Sequence, residues 1–151
     1  MGVAGAAAAI RLGYGLAGVL AVSPDGDDHA HLRKFLDLAR WRLREARNYA
    51  QAVAVLRVER MPVVICASVL PDGSWIDILS QSALLMDSPR LIVASDGADD
   101  RLRTQVINFG GFDVILKPLE MNEVIRVVTD AWRHWQKEWL SHARYPMSLT
   151  A

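Results

Sequence analysis

Cysteine occurs once, at Cys66, so the chain can close no internal disulfide and cannot build a cysteine-rich zinc site. Neither sign of charge is in excess: 17 Lys and Arg balance 17 Asp and Glu. That neutrality argues against a surface built mainly for nucleic acid or anionic lipid, although a local basic patch stays open. Long apolar runs are missing too. The most apolar stretch, 12–22, falls short of the roughly 20 residues needed to span a bilayer. A secretory signal is also poorly matched, because the first charge is Arg11 and no Ala-x-Ala site ends the apolar run immediately before Ser23. No G-x-G-x-x-G follows the first strand-like run, 18–22, and no G-x-S-x-G occurs, which argues against dinucleotide binding and a hydrolase elbow. What is present is a chain of 151 residues, 52% hydrophobic and 23% charged, the composition of one globular domain with a real core. Its expected location is the cytoplasm, with neither membrane nor nucleic acid as a partner.

Apolar periodicity alternates between two kinds of segment. GVLAV (18–22) is a buried-strand run stopped by the turn signal SPDG, and 27–40 carries Leu32, Phe35 and Leu36 at helical spacing behind an acidic start. WRLRE (41–45) alternates as an edge strand does, and 49–60 reads as helix. The run 62–68 reads as a central strand, VLPDG as a turn and 74–85 as helix. Strand 91–95, helix 99–109, strand 113–116 and helix 120–143 complete five strand–helix units. Parallel strands need crossover helices, so the alternation predicts an α/β, doubly wound parallel sheet, whose ligands bind beyond the carboxyl ends of the strands. Residues 1–16 read as a flexible Ala/Gly-rich leader, 17–143 as the domain with an extended last helix, and 144–151 as a tail.

From about residue 18 to 140 the sequence resembles the receiver domain of bacterial response regulators. The resemblance rests on the order of the five units, the PDG turn after strand three, FGGFD, and ILKP after strand five. It implies the flavodoxin-like receiver fold, three layers with strand order 2-1-3-4-5, and a Lys117–Pro118 bond in cis. It also implies a site where an aspartate takes up a phosphoryl group beside Mg²⁺. Carried over residue by residue, the phosphoacceptor position is Ala67, the acidic pair is Ser23 and Pro24, the hydroxyl is Ser95 and the lysine is Lys117. The position of the aromatic switch is Val114. An alanine methyl cannot attack phosphorus, and Ser23 and Pro24 supply no carboxylate oxygen for Mg²⁺. The expectation is therefore a pseudo-receiver: not an enzyme, without metal or cofactor, and with a vacated phosphorylation site.

Other residues carry blander readings. Asp25, Asp27 and Asp28 read as acids that cap and solvate the first helix, in preference to a rearranged metal site. Ser68 points away from Ala67, Cys66 reads as a small core residue, and His29 and His31 share no helix face. With its carboxylates gone, Lys117 must find another anion, reach solvent or lose its proton, and Asp25, Asp72 and Asp96 are the nearest candidate anions by the fold argument.

The last helix is the candidate interface. Val124, Val127, Ala131 and Trp135 form the stripe expected on the sheet, flanked by Met121, Ile125, Val128, Trp132 and Trp139. Together they span about 160°, against the roughly 100° needed to pack on one core. Trp132, Trp139, Ile125 and Met121 are thus expected to meet a signalling partner or a second copy. The expected function is a stand-alone, phosphorylation-independent interaction module of two-component (phosphorelay) signalling. The alternative is a small-molecule sensor that uses the vacated strand-end pocket.

Overall fold

The computed structural model describes residues 18–97 and 100–144; the leader over 1–16 and all but the first residue of the 144–151 tail lie outside them. Five parallel strands are β1 (Gly18–Val22), β2 (Arg42–Ala46), β3 (Val63–Ala67), β6 (Arg90–Ser95) and β7 (Asp113–Leu116). They lie in the order β2-β1-β3-β6-β7, with β4 (Val69–Leu70) and β5 (Gly73–Ser74) forming a separate two-stranded hairpin. Numbered without that hairpin, the order is the expected 2-1-3-4-5. Helices α1 (Gly26–Leu38), α2 (Tyr49–Val58), α3 (Trp75–Ser82), α4 (Asp100–Asn108) and α5 (Met121–Arg144) supply the crossovers.

Strand composition follows from burial on both faces. Val19, Ala21, Val63, Ile65, Ile92 and Ile115 pack under α1 and α5. Their neighbours Leu20, Val22, Val64, Cys66, Leu91 and Val93 pack under α2, α3 and α4. A sheet covered on both sides needs apolar residues at every position, so β1 and β3 read as continuous runs. β2 is the outer strand and keeps its polar alternation.

The helix ends are where sequence and structure part. α1 stops at Leu38, two residues before the expected end, because Arg40 turns left-handed (φ 61). Arg40 N–H donates to Asp37 O and Trp41 N–H to Leu36 O, a Schellman closure made without the usual glycine. α3 begins with a capping box between Ser74 and Asp77 and ends at Ser82, three residues early. After α4, Gly110 (φ 101) and Gly111 turn the chain into β7, and a Cβ on Gly111 would sit 2.4 Å from Val106 Cγ1. Only glycine fits there.

Candidate functional site

The carboxyl ends of β1, β3, β6 and β7 converge, and the residues the resemblance singles out stand at them. Ala67 closes β3, beside Ala94 of β6. Ser95 ends β6, where its Oγ accepts from Gly97 N–H (3.1 Å) and its carbonyl from Lys117 N–H (2.8 Å). Val114 is buried in β7, and the Lys117–Pro118 bond is cis, as expected. Ser23 is buried just beyond β1 while Pro24 is exposed.

Lys117 finds its anion in Asp28, which corrects the expectation of Asp25, Asp72 or Asp96. Its Nζ donates to Asp28 Oδ2 at 2.7 Å, and Ser23 Oγ donates to the same oxygen at 2.7 Å. Asp28 is 6% exposed and the lysine side chain 23%. The fit has a simple local cause. Asp25 is the N-cap of α1, accepting from Asp27 N–H (2.9 Å), which places Asp28 at the third helical position. Side chains on the first turn lean toward the helix N-terminus, here toward the end of β1. Asp25 N–H in turn donates to Ser23 Oγ (3.0 Å), so the hydroxyl is held at both its donor and acceptor sides.

Two further residues complete this corner. His29, fully buried, donates from Nε2 to the Ser23 carbonyl (2.8 Å) and directs Nδ1 at Glu45 Oε1, 3.4 Å away on β2. Glu45 is gripped by both ends of the Arg33 guanidinium, and this bond, helped by the charges of Arg33, His29 and Arg47, holds its carboxyl below the ordinary value despite partial burial.

The other acids cap loops. Asp72 accepts from Tyr49 N–H (2.7 Å) and Ala50 N–H (3.0 Å) at the start of α2. Burial would raise its carboxyl, but these bonds and one from its own N–H outweigh that and lower it. Asp96 is exposed. Cys66 lies in the core with its thiol pushed up to about 12 by burial, far from the thiolate a reactive cysteine needs.

Mg²⁺ does not fit these residues. Asp28 Oδ2 is already shared by an ammonium and a hydroxyl, and a dication beside Lys117 would meet like charge. Among the described residues no three His, Cys, Asp or Glu side chains are grouped to hold a metal.

The last helix differs from expectation at one point. Val124, Val127, Ala131 and Trp135 are buried as the stripe requires, but Val128 and Trp132 are buried with them. Trp132, 3% exposed, packs edge-on against Trp41 with ring centres 5.8 Å apart. The wide apolar arc thus serves two walls, the sheet and the Trp41 corner that closes α1. Trp132 is core, not interface. Ile125 is half-buried against the same cluster, Trp139 stacks on Trp135, and Met121 is exposed.

No family model matches the chain. In sequence it is similar to the probable transcriptional regulatory protein TcrX of Mycobacterium tuberculosis, 30% identical over 107 residues, covering 66% of this chain and 44% of that protein. It is also similar to the response regulator protein PilR of Pseudomonas aeruginosa, 29% identical over 113 residues, covering 71% of this chain and 25% of that protein. The chain therefore spans less than half the length of these relatives. In structure it is similar to the signal receiver domain of an HD domain-containing protein from Pseudomonas fluorescens, with a TM-score of 0.73, 24% identity and coverage of 81% of this chain and 90% of that one. A CheY-like receiver domain protein from Methanospirillum hungatei gives a TM-score of 0.72 at 17% identity, covering 82% and 98%. The five-stranded parallel sheet of this chain, with its five helices, has the CheY-like fold of response-regulator receiver domains.

Proposed function

We infer that the protein is a pseudo-receiver, a phosphorylation-independent protein interaction module of a two-component pathway. One observation carries this reading. The lysine that an active site would offer to a phosphoryl group is already bonded to Asp28, while the acceptor position holds the methyl group of Ala67. The nucleophile and the acidic pair are then both missing from the position where transfer would occur, and the lysine is engaged in a partly buried ion pair. With Val114 at the switch position, no aromatic ring stands there to signal a change at Ser95.

A partner or a second copy is the expected recipient of the module's effect, through surface left by the described helices and strands. Met121 of α5 stays available for it. For the small-molecule alternative, the concavity between the end of α2 and the segment Leu85–Pro89 lies at the amino ends of the strands, away from Ala67 and Lys117. No helix among the described residues is long and apolar enough to cross a membrane.

The test is the intact mass after incubation with acetyl phosphate and Mg²⁺. The expected result is an unchanged mass, also for Ala67→Asp alone, since the acidic pair stays absent. A stoichiometric, base-labile phosphoryl adduct on the wild-type chain would contradict the reading.

A further inference from the structure

Charge is balanced over the whole chain but not over its surface. Between Arg33 and Arg60 fall eight of the 17 cationic side chains and three of the 17 acids. These residues form the end of α1, all of β2 and all of α2, so the fold gathers the excess at one margin of the sheet. β2 is one of the two terminal strands, and its outer side pairs with no strand among the described residues.

Cations run along that margin. Arg40 precedes β2 and Arg47 follows it; both are exposed, and neither has an ion pair within 4 Å among the described residues. Between them Arg42 and Arg44 share Glu59, the residue after α2. Apolar surface lies on either flank, with Leu38 at the end of α1 61% exposed and Val58 at the end of α2 79% exposed.

Cationic edges block association of like edges, so a second copy of β2 is an unfavourable partner. The same charge favours an acidic strand, which is how specificity by repulsion admits one class and rejects another. Nucleic acid would leave the open backbone N–H and C=O groups unused, and its phosphates would meet Glu45 and Glu59 within the cationic row. An extended peptide uses both the backbone edge and the charges.

We propose that the outer edge of β2 docks an extended segment of a protein partner in which acidic and aliphatic residues alternate, added as a further strand. Main-chain bonds to β2 supply the affinity, and its carboxylates are attracted by the exposed cations that flank the strand. This surface is independent of whether the strand-end site accepts a phosphoryl group.

The full chain is titrated into a fluorescein-labelled eight-residue peptide of alternating Glu and Val, followed by fluorescence anisotropy. Three comparison probes carry Lys in place of Glu, methylated alternate backbone nitrogens, or a single-stranded oligonucleotide of equal charge. The expected result is salt-sensitive binding of the Glu–Val peptide alone, with slowed hydrogen exchange at β2 amides. Arg40→Gly combined with Arg47→Gln weakens it about tenfold while leaving the circular dichroism spectrum unchanged. The proposal is overturned if the Glu–Val peptide does not bind, if the methylated peptide binds equally well, if the oligonucleotide binds more tightly, or if β2 exchange is unaffected.

Discussion

Lys117 and Asp28, 89 positions apart in the chain, meet at 2.7 Å across the carboxyl ends of the sheet. Asp28 also takes the Ser23 hydroxyl, so one carboxylate oxygen ties the ends of β1 and β7 to the first turn of α1. A site the resemblance would leave open is closed by the chain's own acid.

The first expectation concerns that bond. Asp28→Ala leaves the lysine without its anion and the serine without its acceptor, and should cost roughly 2 kcal/mol by denaturant unfolding, less than a fully buried pair because Lys117 is partly exposed. Lys117→Met should cost less, since the remaining carboxylate keeps Ser23. The double substitution should cost less than the two added together. Strict additivity would show that the two side chains do not interact in solution.

Asp72 gives a pH dependence whose sign follows from its lowered carboxyl. A group bound more tightly when ionised in the folded state stabilises above its ordinary value of 3.8 and loses that contribution as the pH falls through the lower folded value. Wild type should therefore melt above Asp72→Ala at neutral pH, and the gap should narrow below pH 3.8. A gap unchanged down to pH 2 would mean the bonds to Tyr49 and Ala50 do not depend on the charge.

Trp132 tests the assignment of the wide face of α5. Trp132→Ala should lower stability by about 3–5 kcal/mol, and the loss should be the same at every protein concentration. Met121→Glu, on exposed surface, should change stability by less than about 0.5 kcal/mol. If Trp132→Ala instead shifted only sedimentation with concentration, the ring would belong to an interface.

Two backbone positions should respond in opposite directions. Arg40→Gly relieves a left-handed residue and should stabilise by about 0.5–1 kcal/mol. Gly111→Ala forces a methyl onto Val106 and should destabilise by about 1–3 kcal/mol. Thermal unfolding of the two variants beside wild type checks both.

The strands were legible because a sheet covered on both faces leaves continuous apolar runs such as GVLAV and VVICA. Helix ends were less so. α1 closes on Arg40, where no glycine marks the stop, and α3 ends in a turn that its apolar pattern runs straight through. At the site, the positions of Ala67, Ser95 and Lys117 follow from the resemblance, whereas the sequence marks Asp28 only as one of three capping acids. The signal that separates it was present: with Asp25 as N-cap, the acid three positions later leans back over the strand end. His29 and Glu45 had no such signal, since their meeting depends on how β2 lies beside α1. Trp132 departs from expectation for a related reason, because the Trp41 that covers it stands in the connection between α1 and β2.

The closed strand-end site is tested most directly by amide NMR of the wild-type chain as Mg²⁺ and acetyl phosphate are added together. If the Asp28–Lys117 bond occupies the site, the resonances of Ser95, Gly97 and Lys117 keep their positions throughout the titration. Saturable shifts confined to those three residues would show that a metal ion or phosphoryl group enters there, and would contradict the account.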